Sequence, residues 1–553
     1  MTSLREDGVA WTRFRIPRPW FTVPLVVYLG VGYWLVAVQH HVMTDAWSRV
    51  GSASYVLFSR DPHLAAIGFV WGPLPPLLML PLVAFAPLWP GLVHDGLAAT
   101  LLSAASMAAV VSQVHAILRD LGVSRGRRAL LTAAFAAHPM IVLYAGNGMT
   151  EALFLLLLLL ASRALMRFLV TDRPDSLVAA GVAIAAAYLV RYEALAVGLA
   201  VVVLVTARRL LSGGSAGRRA SRGIEALADA CVVGFPLAAA FVAWAMTSWI
   251  LVGSPFEQFT SVYGTSSQLA VGGDSLRALV GPDTWSAVRY ATVEAGGLEP
   301  LLVVLAGAAL LFAAVRSDAR VLAPLVVFGG VLAFAFVAFV TGKTIGSLRY
   351  FITVVPAATL LAGFVLVPLR RVADTRRAAR ALGPLVVLLL ATGVPTALAV
   401  MGDPAVGREE WYPTQRLMPF RGDVTESLEI RQYRQGDEIA TYLDSLALPA
   451  GAVLVDVFTG FPIVLRSDNP RQFVITSDRD FPAAVSDPYL FGVRYLLVPP
   501  NGGFGSLDAI ARAHPAIYQL GPPEGRLVKE FGDTPGTGWR LYTTSNGEGA
   551  HRP

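Results

Sequence analysis

Long apolar runs recur from Trp20 to Val400 of this 553-residue chain, and they restrict it to folds that a lipid bilayer accepts. In lipid every backbone polar group has to find its partner within the chain, so runs of this length must become helices. Charged residues make up 15% of the sequence, against about 25% in an average soluble domain. One large soluble enzyme is excluded. Apolar segments lie near 20–38, 97–118, 129–145, 151–170, 177–190, 194–207, 226–252, 300–315, 321–340, 351–368 and 383–401. A further run, 73–89, holds Pro73, Pro75, Pro76, Pro81 and Pro87, a density that interrupts helical hydrogen bonding.

Charge decides whether that run crosses. If it lies in the interface, stretches 1–19, 119–128, 163–176, 208–225, 316–320 and 370–380 share one side and carry 23 Lys and Arg. The opposite loops, 39–95, 146–150, 191–193, 253–298 and 341–350, carry only 7. The positive-inside rule then predicts about eleven transmembrane helices, a cytoplasmic N-terminus and one long first outer loop at 39–95. Arg13, Arg15 and Arg18 precede the first helix and no small-residue cleavage site follows it, the pattern of an uncleaved signal anchor.

Composition changes near residue 403. Residues 1–402 hold 30 basic against 19 acidic residues, and 403–553 hold 14 against 19. The excess base sits in short loops, where it reads as a topology signal and gives no reason to expect nucleic acid as a partner. The tail alternates short apolar runs (AVLVDVF at 452–458, QFVIT at 472–476, VRYLLVPP at 493–500, GWRLYTT at 538–544) with helical stretches. The expected architecture is an all-α polytopic membrane bundle over 1–402 followed by a C-terminal extracytoplasmic α/β domain over 403–553. Cys231 is the only cysteine, so no intrachain disulfide forms. Only Lys343 and Lys529 among 44 basic residues are lysines, a bias typical of a high-GC bacterial gene and hence of a bacterial plasma membrane.

This topology gathers polar residues on one side. The first outer loop carries His40, His41, Asp45, Arg49, Arg60, Asp61, His63, His94 and Asp95. Asn147 and Glu151 follow the third helix, Arg191 and Glu193 the fifth, and Lys343, Arg349 and Tyr350 the ninth. Ionisable groups at helix ends in lipid are costly unless paired, solvated or used. A carboxylate there suits a general base for an acceptor hydroxyl. Arg and Lys suit a phosphate headgroup, and proline-bent apolar helices suit a lipid tail. Base, phosphate clamp and lipid groove together describe sugar transfer from a polyprenyl-phosphate donor.

The motifs also resemble a family. Asp45 followed by PLPPLL (73–78) is similar to the first outer loop of the GT-C superfamily, above all of the bacterial relatives of dolichyl-phosphate-mannose–protein mannosyltransferases. NGMTEALF (147–154), LVRYEAL (189–195) and LRYFITVVP (348–356) resemble their later motifs, so the likeness covers residues 20–400. The resemblance implies a GT-C-like bundle and an inverting hexosyl- or pentosyltransferase acting on the outer face. Asp45 would be the catalytic base, and Lys343, Arg349 and Arg191 would bind the donor phosphate. Asp61, His63, Asn147, Glu151, Glu193 and Tyr350 would support the site. The eukaryotic members carry two adjacent acids in the first loop, whereas Asp45 stands between Thr44 and Ala46, leaving Asp61 or Asp95 as the second carboxylate. Partners would be the lipid-linked sugar, a glycan or glycolipid acceptor and membrane lipid.

Plainer readings stand beside these. Asp45 would cap a helix, Glu151 would pair with Arg191 to seal two helix ends, and Arg349 with Tyr350 would anchor an interface. His40, His41, Asp45 and His63 could be assembled around a divalent metal, but their spacing does not require one, and no cofactor is expected. Asp229 and His138 would be satisfied inside helices. Trp285 and Tyr290 would lie on an interfacial helix, and Asp456, Asp478 and Asp480 would be solvated loop acids. A lipid-linked-substrate transporter would want ionisable groups near the midplane and paired repeats. A non-catalytic scaffold displaying the tail would tolerate loss of Asp45.

Overall fold

The structure, a computed structural model, describes residues 18–211, 219–281, 283–344, 346–367, 392–417, 427–532 and 536–544. It opens with α1 (Arg18–Tyr33), α2 (Thr44–Phe58), α3 (Leu74–Val83), α4 (Leu97–Asp120), α5 (Arg125–Ala136), α6 (Pro139–Gly146), α7 (Glu151–Thr171), α8 (Pro174–Tyr188) and α9 (Ala194–Leu211). Then follow α10 (Arg219–Val252), α11 (Thr265–Val280), α12 (Thr284–Leu298), α13 (Leu302–Arg316), α14 (Leu322–Val340), α15 (Val354–Leu366), α16 (Gly393–Met401) and α17 (Trp411–Leu417). Seven helices among the described residues are long and apolar enough to cross a bilayer, and nine if each of two bent pairs counts once. The chain is a multi-pass helical membrane protein.

That count differs from the expected eleven at two places. The run at 177–190 forms α8, only 15 residues long, where about 20 are wanted for a straight span. The run at 383–401 falls partly outside the described residues, and its visible part is α16. The bends have local causes. The α5–α6 pair turns by 59° just before Pro139, and the α12–α13 pair by 69° around Pro300. Proline cannot donate the hydrogen bond that would carry a helix through. The proline-rich run behaves as expected, since α3 has ten residues, a length of about 15 Å.

The first turn of α3 is fixed by close packing. Leu74 N–H donates to the carbonyl of Leu189 at 3.0 Å. A Cβ on Gly72 would stand 2.4 Å from that same oxygen. Gly72→Ala is therefore expected to lower stability by roughly 1–3 kcal/mol, because backbone cannot step aside as a side chain would. Thermal unfolding of the purified protein measures it, and an unchanged midpoint would remove the claimed tight contact.

The tail folds as a small α/β unit. It contains α18 (Leu428–Ser445), β1 (Val453–Val455), α19 (Val457–Arg466), β2 (Phe473–Ile475), β3 (Tyr495–Val498), β4 (Leu527–Phe531) and β5 (Trp539–Thr543). The strand order is β2-β1-β3-β5-β4. β1 runs parallel to β2 and β3, with Leu454 beside Val474 and Leu496, while β5 is antiparallel to β3 and β4. The carboxyl ends of the parallel strands face the bundle. Asp456, just after β1, accepts from Tyr263 Oη at 2.9 Å, and Asp478, after β2, accepts from Arg60 at 3.2 Å.

Two of the three tail acids are thus not solvated. Asp456 is 0% and Asp478 3% exposed, because the edge that carries them is docked against the first loop and the segment before α11; Asp480 pairs with Arg60 but stays partly open. Burial pushes Asp478 up to about 6 against the pull of the Ile475 amide and Arg60. Nearby Asp508, fully buried, is pushed up to about 8 by burial and by the charge of Asp456. A carboxyl raised on folding stabilises when protonated and loses that contribution as pH rises through its folded value. Asp508→Asn should therefore gain stability relative to wild type as pH rises from about 4 to 8, read as a widening difference in unfolding temperature. A difference that stays flat with pH would refute it.

Candidate active site

The site is built from helix ends. Asp45 stands in the first turn of α2, Glu151 opens α7, and Arg191 and Glu193 occupy the turn between α8 and α9. Arg349 and Tyr350 lie in the short 3-10 turn Leu348–Phe351 that leads into α15. Glu409 comes from the turn before α17. Residues more than 300 positions apart meet because all these ends lie at the end of the bundle that carries the α/β unit.

Arg349 is the hub. It is 7% exposed, its Nη1 lies 3.0 Å from Asp45 Oδ2, and its Nε lies 3.4 Å from Glu409 Oε2 and 4.0 Å from Glu151 Oε1. Arg191 is held by Glu151 and by Glu193, the latter at 2.7 Å. The ring of Tyr350 lies between the two guanidiniums, 5.2 Å from Arg191 and 5.5 Å from Arg349. Asn147, buried, accepts from the Met149 amide at 3.1 Å and shapes the turn that leads into α7. Buried charges stay ionised when they are paired, and this group is paired throughout. The Glu151–Arg191 seal is present.

Burial alone would raise the Asp45 carboxyl, but Arg349 and Arg49 beside it bring it below the usual carboxylate range. Its side chain remains 40% exposed. An ionised carboxylate held by one guanidinium and open on one side can accept a proton from an incoming hydroxyl. Asp45 does not cap α2: the cap position is Met43, and no side-chain cap is made there.

Neither Asp61 nor Asp95 joins Asp45 at Arg349 as a second carboxylate. Asp95 accepts from Tyr433 at 2.7 Å and pairs with Arg466 at 2.9 Å, and Asp61 pairs with Arg479 at 3.1 Å and lies 3.7 Å from His63. Both tie the first loop to the α/β unit. Glu409 fills the place instead. Burial raises its carboxyl more than Arg349 lowers it. Its neighbour Glu410, 0% exposed, accepts from Tyr144 Oη at 2.5 Å and is pushed up to about 8 by burial and by Glu409. The signal was a Glu-Glu pair six residues beyond the chosen domain boundary.

Lys343 lies on the exposed turn after α14 and takes no part in these ion pairs among the described residues. His40 stacks on Tyr433 and buried His41 on Tyr412, so both serve the contact with the tail. Asp229 pairs with Arg209 at 2.5 Å, whereas His138 faces only the Leu298 carbonyl at 3.4 Å and leaves Nδ1 without a partner. Among the described residues no group of three or more His, Cys, Asp and Glu is arranged to hold a metal ion.

An apolar cleft of about 570 Å³ opens between α3, α10 and the end of α8. Pro73 at the cap of α3, Leu77 within it, Leu189 and Trp244 line it, with His63, Thr247 and Arg479 as its polar members. Leu189 stands two residues before Arg191.

Fold and site together define a multi-pass membrane protein with an ion-paired, partly open carboxylate at one end of its bundle. No protein-family model and no curated protein matches the sequence. Among solved structures the chain is similar to the archaeal oligosaccharyltransferase AglB from Archaeoglobus fulgidus, in complex with an inhibitory peptide and a dolichol-phosphate. Identity there is 12% and the TM-score 0.41, over 88% of this chain and 70% of that one. It is also similar to the arabinofuranosyltransferase AftD from Mycobacteria, at 15% identity and a TM-score of 0.40, over 96% of this chain and 42% of that one. The chain thus spans less than half the length of the arabinofuranosyltransferase.

Proposed function

We propose that the chain is an inverting GT-C-type glycosyltransferase that moves a sugar from a polyprenyl-phosphate donor to a cell-envelope glycan or glycolipid. The reaction would run on the outer face of a bacterial plasma membrane. The observation that carries this reading is the Asp45–Arg349–Glu409 group, together with an apolar cleft that reaches Leu189, two residues before Arg191. The acceptor oxygen attacks the anomeric carbon as the bond from that carbon to the phosphate oxygen breaks. Asp45 takes the acceptor's proton, and the polyprenyl phosphate leaves with the electron pair. Positive charge at the phosphate stabilises that departure, and Arg349 and Arg191 supply it, with Lys343 on the exposed turn as an outer cation. Glu151, Glu193 and Tyr350 hold the guanidiniums, and Asn147 supports the turn that leads to Glu151. His63 lines the cleft, where the lipid would enter, and Asp61 pairs with Arg479 at its edge.

The deciding experiment uses purified protein in nanodiscs, a panel of short-chain polyprenyl-phosphate sugars and a cell-envelope glycan extract. Consumption of one donor, dependent on the extract, is the expected result. If wild type neither consumes nor binds any donor, the scaffold reading replaces this one.

A further inference from the structure

Of the three guanidiniums around Asp45, two are already engaged by carboxylates and one is not. Arg191 is gripped by Glu151 and Glu193, and Arg349 by Asp45 and Glu409. Arg49, one turn beyond Asp45 on α2, is in no carboxylate ion pair among the described residues. It donates to the backbone carbonyl of Asp45 at 2.7 Å and lies 5.9 Å from the ring centre of Trp71. An arginine keeps its charge under any ordinary conditions. Half-buried, it has a neutral carbonyl as its hydrogen-bond acceptor and feels the charges of Asp45 and Glu151 only at a distance, with no carboxylate in direct contact.

Arg49 also lines a small cavity with Pro75, Met79, Ser103, Thr150 and Leu153. The cavity has room for about one water-sized atom. It lies against the N-terminus of α7, a helix of 21 residues. The first amides of a helix lack intrahelical acceptors and attract anions. Thr150 occupies the cap position but makes no side-chain cap, and its hydroxyl is buried, 5% exposed overall, without a hydrogen-bond partner. Gly148, at φ +78°, turns the chain so that this end of α7 packs against α2: a Cβ there would stand 3.2 Å from Ala46.

We infer that Arg49, the Thr150 hydroxyl and the N-terminus of α7 form an anion subsite that receives one oxygen of a phosphate borne on a long-chain alcohol. The lipid part of this assignment rests on the proposed function. It is supported by α3, which presents Pro75 and Met79 to the cavity and Pro73 and Leu77 to the apolar cleft. One short helix therefore separates the space for an anion from the space for a tail. A phosphate here does not have to displace a carboxylate from Arg349, so Asp45 keeps the partner that holds it ionised.

The test titrates full-length protein in nanodiscs with farnesyl phosphate, farnesol and inorganic phosphate, following binding by 31P NMR and by calorimetry. Wild type should bind farnesyl phosphate more tightly than either other probe. Arg49→Gln should weaken farnesyl phosphate roughly tenfold or more and leave farnesol unchanged, since one charged hydrogen-bonding group is lost. Arg49→Lys, which keeps charge and fold, should lose less, and Thr150→Val should weaken the same probe while keeping the wild-type unfolding temperature. Unchanged farnesyl phosphate binding in both Arg49→Gln and Thr150→Val overturns the subsite, as does equal binding of farnesol and farnesyl phosphate by wild type. Inorganic phosphate binding as tightly, and with the same dependence on Arg49, would keep the anion subsite and remove its lipid ligand. Loss of binding in Arg49→Gln without sugar turnover by wild type would leave the subsite standing and remove the transferase.

Discussion

Asp45→Asn should abolish sugar transfer and leave the protein folded. Asparagine keeps the size and one acceptor oxygen of the side chain, so Arg349 still finds a hydrogen-bond partner and retains Glu409 at 3.4 Å. What disappears is the group that takes the acceptor's proton, an effect of roughly 10²–10⁴-fold. Because Arg349 and Arg49 hold the Asp45 carboxyl low, it is already ionised at neutral pH. The wild-type rate should therefore stay level as pH falls from 8 to 5 and decline only where Asp45 itself takes a proton. The measurement is single-turnover donor consumption across pH, with unfolding temperature as the control for folding. A variant within tenfold of wild type would remove Asp45 from the reaction.

Arg349→Met should be more damaging still, because it costs stability as well as turnover. Its removal leaves Asp45, Glu409 and Glu151 facing one another in a site where Arg349 itself is 7% exposed. Removing one partner of a buried ion pair costs about 3–5 kcal/mol. Arg349→Lys should restore little, since a point charge cannot reach two carboxylates in the way a planar fork does. The double variant Arg349→Met with Glu409→Gln should recover part of the lost unfolding temperature and none of the activity. If the single variant unfolds at the wild-type temperature, the hub described above carries no structural load.

The sequence made the bundle readable because lipid tolerates few alternatives. Among the described residues the long apolar runs became helices, and proline marked both the short α3 and the bends before Pro139 and at Pro300. The site was legible in the same degree as its motifs lie at helix ends. Asp45, Glu151, Arg191, Glu193, Arg349 and Tyr350 come together because one side of the topology collects them. Glu409 was missed because a boundary drawn by composition at 403 assigned it to the tail, and no local pattern says that a chain will turn back. Lys343 drew notice through its rarity, which reflects codons; in space it is exposed. Asp456 and Asp478 were misread since an acid after a strand is usually wet, and docking of that sheet edge depends on distant residues such as Arg60 and Tyr263.

The way α2 is gripped has a consequence for the making of the protein. Its Trp47 stacks on Tyr433 and meets Phe461 edge-on, while Thr44 reaches Gln432 at 3.3 Å. The helix that bears Asp45 thus leans on residues translated about four hundred positions later, and Arg349 leans on Glu409, 60 positions later. A ribosome that stalls after residue 402 has made the apolar helices, yet it has made neither the brace nor the counter-charge. Until residues 409–461 follow, Asp45 and Arg349 are in place without the partners that hold them.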